Sequence, residues 1–181
     1  MYSVDEIKKY LKDNLSEYRY EHSIMVAEEA SSLARHYNLD SNKAYITGLL
    51  HDISKEFSDE ENEYYIKKYN IDNKYTKQEY SKVIHSYVGA YFAKEKYNID
   101  DEMMYAIMYH TLGHPNMNLF AKIILVADKL GRENIDEQLR SLAYFNIDDA
   151  VKYIIIKQVN KLKEDGKKPH EDTINLLKYL K

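Results

Sequence analysis

No cysteine occurs among the 181 residues, which removes disulfides, iron–sulfur clusters, thiolate zinc sites and cysteine nucleophiles together. A transition metal would have to be held by His, Asp or Glu. Glycine (5) and proline (2) make about 4% of the chain against an average usage of about 12%, leaving few residues for tight turns or positive φ. That scarcity argues against sandwiches, barrels and disordered linkers. No apolar run approaches the roughly 18 residues of a membrane span, and Met1 to Tyr10 lacks the apolar stretch of a signal peptide. A basic excess is missing too. The formal net charge is −4, and the Lys-rich stretch Lys157 to Lys168 also holds Glu164 and Asp165, so neither a nucleic acid polymer nor a membrane is an expected partner. The expected location is the cytoplasm.

What the chain does have is 44% hydrophobic and 31% charged residues, enough for one full core and too few residues to require two. Apolar residues recur at spacings of three and four, as in Ile24, Ala27, Ala30, Leu33, Ala34 and Tyr37, and alternating strand patterns are missing. Hydroxyl-to-acid patterns at Ser3 to Glu6, Ser58 to Glu61 and Thr76 to Glu79 mark helix starts. Asp40 or Ser41, Asp100 and Asn118 are further N-caps, and Gly131 and Gly166 stand where helices should stop. The expectation is a single all-α domain over residues 1–181, with about nine helices. A monomer and a homodimer both remain open. The nineteen tyrosines are scattered, and the codon bias of an A/T-rich genome accounts for them better than recognition of bases or sugars.

Seven histidines are present, and several interrupt apolar runs. His51 and Asp52 are adjacent at the end of Ala44 to Ile53, a segment that reads as a buried helix. His22 points along the stripe Val26, Glu29, Leu33; His85 follows Val83 and Ile84; His110 closes Met103 to Tyr109; Asp128 shares a face with Ile124 and Ala121. Singly, each reads as a satisfied core residue. Jointly, six buried imidazoles and carboxylates exceed what folding alone would favour, and a shared metal site would satisfy all of them.

The ordered series His22, His51-Asp52, His85, His110, Asp128 resembles the HD superfamily of metal-dependent phosphohydrolases, in an extended form with two histidines between the His-Asp pair and the last Asp. Glu21-His22-Ser23, Gly48 to Glu56, Val88-Gly89-Ala90-Tyr91 and Tyr109 to Met117 resemble, more specifically, symmetrical bis(5′-nucleosyl)-tetraphosphatases of the YqeK type, over about residues 15–150. The resemblance implies an all-helical fold and hydrolysis of diadenosine tetraphosphate to two ADP through a metal-bridging hydroxide. It implies that His22, His51, Asp52 and Asp128 hold one metal, and His85, His110 and a bridging Asp52 the second. Family members often carry Arg at the position of His114, and often a Pro before an Arg in a longer segment than Lys129-Leu130-Gly131-Arg132.

The donor set suits iron, manganese, zinc, nickel or cobalt better than magnesium, and the resemblance puts iron first. Lys55, three residues after Asp52, would offer a cation to a phosphate or to the departing ADP oxygen, so Asp52 and Lys55 are the expected catalytic pair. Arg19 and Arg132 would rim the cleft, and Thr111, Gly113, His114 and Asn116 would form a loop over the phosphates. Gly48 and Gly89, inside helices at about 1 kcal/mol each relative to Ala, suggest close helix approach beneath the metals. The same residues leave open an HD-type nucleotidase or deoxynucleotide phosphohydrolase, a di-iron oxygenase, and a non-catalytic nucleotide-binding module.

Overall fold

The computed structural model describes residues 3–77, 81–132 and 134–180, and no strand occurs among them. Among the described residues eleven helices follow one another: α1 (Val4–Asn14), α2 (Glu17–His36), α3 (Ser41–Leu50), α4 (Asp59–Tyr69), α5 (Asn73–Thr76), α6 (Ile84–Tyr97), α7 (Asp101–Tyr109), α8 (Leu119–Leu130), α9 (Glu137–Phe145), α10 (Ile147–Glu164) and α11 (Glu171–Tyr179). The all-α expectation holds, with more helices than the nine that start and stop signals mark. None of the described helices is long and apolar enough to cross a membrane.

Local chemistry explains most boundaries. Reciprocal capping boxes form at Ser3 with Glu6 and at Ser58 with Glu61, and Asp40, Asp100 and Asn118 each cap with a side-chain oxygen. The third capping pattern does not start a helix at Thr76, which closes α5; its partner Glu79 lies outside the described residues. With glycine scarce, asparagine takes over at helix ends. Asn38, Asn70 and Asn98 adopt φ of 57°, 49° and 47° just beyond α2, α4 and α6, the left-handed conformation that Asn tolerates better than other side chains.

Helix α8 runs through the centre. Its sequence LFAKIILVADKL is apolar almost all round, and it packs against α2, α3, α7, α9 and α10. Ile123 and Ile124 are wholly buried, each contributing about 1.5–3 kcal/mol by leaving water. On α2 the charged Glu29 is not part of the buried stripe; it turns to Arg140 of α9, 2.6 Å away. Helix α11 is tied to α5 by a buried polar group. Tyr75 donates its hydroxyl proton to Asp172 at 2.6 Å, and Asp172 N–H donates to His170 Nδ1 at 3.1 Å, so His170 caps α11.

Candidate metal centre

The helices deliver their chemistry at their ends. His51 follows the last residue of α3 and His110 the last of α7, while His22 lies in the second turn of α2, His85 in the first turn of α6 and Asp128 in the last turn of α8. Helix α3 stops at Leu50, short of the expected Ile53. Asp52 therefore stands in a run of tight turns, with Ile53 N–H donating to Leu50 O and Lys55 N–H to Asp52 O. All six side chains are buried; His51 is 0% exposed and Asp52 3%.

Two glycines make this convergence possible. A Cβ on Gly48 would stand 2.6 Å from Ala27 Cα, so α3 lies against the backbone of α2 only because Gly48 has no side chain. A Cβ on Gly89 would stand 2.9 Å from Ser54 Oγ, and that hydroxyl donates to the carbonyl of His85 at 2.8 Å.

The histidines are oriented by backbone carbonyls. His51 Nδ1 lies 2.7 Å from Gly48 O, His110 Nδ1 2.7 Å from Ile107 O and His22 Nδ1 2.8 Å from Gly131 O. These carbonyls sit at the C-terminal ends of α3, α7 and α8, where helices leave acceptors unpaired. Each imidazole thus donates from Nδ1 and turns the lone pair of Nε2 inward.

Acceptors accumulate at the centre as a result. His22 Nε2 is 3.1 Å from Asp128 Oδ1, His51 Nε2 3.6 Å from the same oxygen, His85 Nε2 3.0 Å from Asp52 Oδ1 and 3.4 Å from His110 Nε2. His51 Nε2 and Asp52 Oδ1 are buried with no hydrogen-bond partner; the 3.0 Å approach of His85 to Asp52 lacks hydrogen-bonding alignment. Buried lone pairs left without a donor, as on these two atoms, are what a cation satisfies. One ligand atom from each of His22, His51 and Asp52 falls within 4.8 Å of the others, as do those from Asp52, His85 and His110. Asp52 belongs to both groups.

The electrostatics favour the ligating forms of most members. Burial pushes the carboxyl groups of Asp52 and Asp128 up, but His51, His110 and His85 around Asp52, and Lys129, His22 and His51 around Asp128, outweigh it and hold both well below the usual range. Burial lowers His110 and takes His85 to about 4, so both stay neutral. His51 goes the other way. Burial lowers it, yet Asp52 and Asp128 raise it further, so it attracts a positive charge whether proton or metal. The residues present therefore fit divalent cations: four neutral-capable imidazoles and two carboxylates, with a carboxylate at the junction.

Cations surround the acceptors. Lys55 Nζ reaches His85 Nε2 at 2.8 Å and Asp52 Oδ1 at 3.6 Å, and burial lowers its pKa. Arg19 Nη1 lies 3.4 Å from Asp52 Oδ2, and Arg132 Nε 3.4 Å from the carbonyl of Asp128. Lys129 Nζ, not singled out by sequence reasoning, sits 2.5 Å from Asp128 Oδ2; its position beside a buried acid was the available signal. Within the 111–116 loop, Thr111 Oγ1 lies 3.1 Å from Ser86 Oγ. Gly113 takes φ +68°, with Leu176 where a Cβ would point. His114 stacks on Tyr109 of α7 at 4.5 Å and accepts from Asn116 N–H, so this part of the loop contacts α7, α11 and itself.

Imidazoles turned inward and a carboxylate common to two donor groups promote one chemistry above others when divalent cations are held there, the attack of water on phosphorus or carbonyl centres. The class so defined is that of helical metal-dependent hydrolases. The chain belongs to the HD-domain family, whose model matches residues 19–133. It is 31% identical over 172 residues to the symmetrical bis(5′-nucleosyl)-tetraphosphatase of Halalkalibacterium halodurans, covering 91% of this chain and 89% of that one. The protein of the same name from Staphylococcus aureus is 35% identical over 148 residues, covering 78% and 75%. Among solved structures, an HD superfamily hydrolase from Clostridium acetobutylicum, described as involved in NAD metabolism, superposes with a TM-score of 0.91 at 34% identity, covering 99% of this chain and 97% of that one.

Proposed function

We propose that this chain hydrolyses diadenosine tetraphosphate symmetrically, releasing two ADP. The observation that carries the reading is the position of Asp52 in both three-donor groups, taken with the names of the two relatives above. His22, His51, Asp52 and Asp128 are proposed to hold one divalent metal, and His85, His110 and the shared Asp52 the other. Iron is placed first, with manganese, zinc, nickel and cobalt also suited to the donors. Bound there, two such ions would acidify a water near neutral pH and neutralise charge at phosphorus.

The chain's own residues do the rest. Nδ1–H bonds from His22, His51 and His110 to helix-end carbonyls fix the rings so that little reorganisation accompanies the reaction. Lys55, with its ammonium against His85 and Asp52, is proposed to swing onto a bridging phosphate oxygen and support the departing ADP. Arg19, Lys129 and Arg132, all within 3.4 Å of an oxygen of Asp52 or Asp128, are proposed to bind the outer phosphates, with Thr111, Gly113, His114 and Asn116 proposed to shape the adjoining loop. Incubating the metal-loaded protein with diadenosine tetraphosphate and separating the products tests this directly. ADP alone is expected; AMP with ATP would overturn symmetrical cleavage.

A further inference from the structure

The two donor groups at the centre are supported differently. His22, His51 and Asp128 are positioned by α2, α3 and α8, which pack against one another. His85 and His110, which with Asp52 make the second group, stand at the start of α6 and just past the end of α7. The chain beside each of these two histidines is tied to α11, a helix that carries no donor itself and follows the stretch matched by the HD-domain model.

We propose that α11 braces the second metal site, with Thr173 and Asp172 as positioning residues that hold His110 and His85 against Asp52; this rests on the two-metal hydrolase reading above. On the His110 side, Thr173 Oγ1 donates at 2.8 Å to the carbonyl of Leu112, two residues after the ligand. The preceding carbonyl, that of Thr111, accepts from Gln158 Nε2 of α10 at 3.2 Å, so two successive peptide groups of this turn are fixed by side chains from outside it. On the His85 side, Asp172 accepts the hydroxyl proton of Tyr75 at 2.6 Å. The ring of Tyr75 stacks on Tyr87, two residues after His85, with centroids 3.9 Å apart. Ser86 Oγ and Thr111 Oγ1, from the residues next to His85 and His110, meet at 3.1 Å and join the two arms.

Burial gives these bonds their weight. Thr173 is 1% exposed, Asp172 5% and Tyr75 9%, so an unmade bond would leave a polar group away from water. The brace is also one-sided. Among the described residues, the side-chain hydrogen bonds and ion pairs that leave α11 end on Lys74 and Tyr75 of α5 or on Leu112, none of them on α2, α3 or α8. Loosening α11 would therefore release the chain around His85 and His110 and leave the support of His22, His51 and Asp128 in place. Loss of the brace would turn a two-metal centre into a one-metal centre.

The test is a titration of the metal-stripped full chain with Mn2+, the free ion being read by its paramagnetic resonance signal. Two ions should bind the unmodified protein. Thr173→Val, and separately Tyr75→Phe, which keeps the ring stack and removes only the hydroxyl, should weaken one binding step by about tenfold and leave the other unchanged; Thr173→Ser should restore it. In a His22→Ala background Thr173→Val should still weaken the remaining ion, and in a His110→Ala background it should have no effect. A merely structural role would weaken both steps alike. Equal weakening of both steps, no weakening in either variant, or failure of Thr173→Ser to restore binding would overturn the brace while two ions in the unmodified chain left the two-metal reading intact. A single ion in the unmodified chain would overturn that reading and the brace together. AMP with ATP as products, alongside selective loss of one ion in the variants, would overturn symmetrical cleavage and support the brace. Should Thr173→Val not fold, Tyr75→Phe decides the matter by the same criteria.

Discussion

Replacing Gly48 with Ala perturbs the frame of the metal centre without touching a ligand. The added methyl would stand 2.6 Å from Ala27 Cα, 2.9 Å from Ala27 N and 3.1 Å from Val26 O. Ordinary carbon contacts lie at about 3.5–4.0 Å, so α3 and α2 would have to part by about 1 Å at this level. On an isolated helix the exchange gains about 1 kcal/mol, whereas overpacking a filled core costs about 1–3 kcal/mol. The opposing atoms are backbone and have no rotamer to yield, which puts the cost at the upper end and the net loss near 2 kcal/mol. For a chain of this size that lowers Tm by about 4–8 °C. The site feels the same displacement, because Gly48 O accepts the Nδ1–H of His51 at 2.7 Å; disturbing such a supporting bond typically weakens metal binding about 10–100-fold. Thermal melting of the metal-free protein and chelator-competition titration read the two effects. Gly166→Ala is the control. It has nothing within 4 Å but a φ of +68°, so it should cost about 1–2 kcal/mol in backbone strain and leave metal affinity unchanged. A Gly48→Ala protein with unaltered Tm and affinity would refute the role assigned to this contact.

Asp52→Ala and His51→Ala should each lose bound metal and activity together, read by elemental analysis after gel filtration; full occupancy in Asp52→Ala would eliminate the shared role of that carboxylate. Lys55→Gln should keep its metals and lose about 10²–10³ in kcat with diadenosine tetraphosphate, the usual consequence of removing one charge-stabilising donor. An unchanged kcat would return Lys55 to a purely structural place beside His85. The metal-free protein should lose stability in acid through His85. Burial depresses its pKa from 6.5 to about 4, so the unfolded chain binds the extra proton first. Its stabilising contribution is complete above pH 6.5 and disappears as pH falls through 4, amounting to about 3 kcal/mol. Urea unfolding across that window should show a shallower acid slope in His85→Gln than in the unmodified chain, and parallel curves would contradict the assignment.

The six central residues were legible because each is a polar group inside an apolar helical stretch, and their joint burial demands a common partner. Asp128 among Ile123 to Ala127 is the clearest case. The helical class was equally legible from spacing and from missing turn residues. Other features depend on contacts that no local pattern carries. Gln158 meets Thr111 across 47 positions of chain, a junction that no local pattern announces. Thr76 matched a capping pattern that is satisfied by residue identity, yet the chain there ends α5. Helix stops were sought at glycine, while Asn38, Asn70 and Asn98 supplied left-handed termini, and α5, with four residues, is too short to show a period. These account for helices beyond nine.

The three carbonyls that orient His22, His51 and His110 belong to the last turns or caps of α8, α3 and α7, the parts of a helix that open most easily. Each ring keeps its inward lone pair only while its helix end is closed. Fraying of any of these turns would free the ring to rotate or to exchange tautomer, and a donor nitrogen cannot hold a metal. Metal exchange would thereby be geared to helix breathing: an ion held beneath α2, α3, α7 and α8 would escape through a local loosening of terminal turns, with the core of α8 still closed.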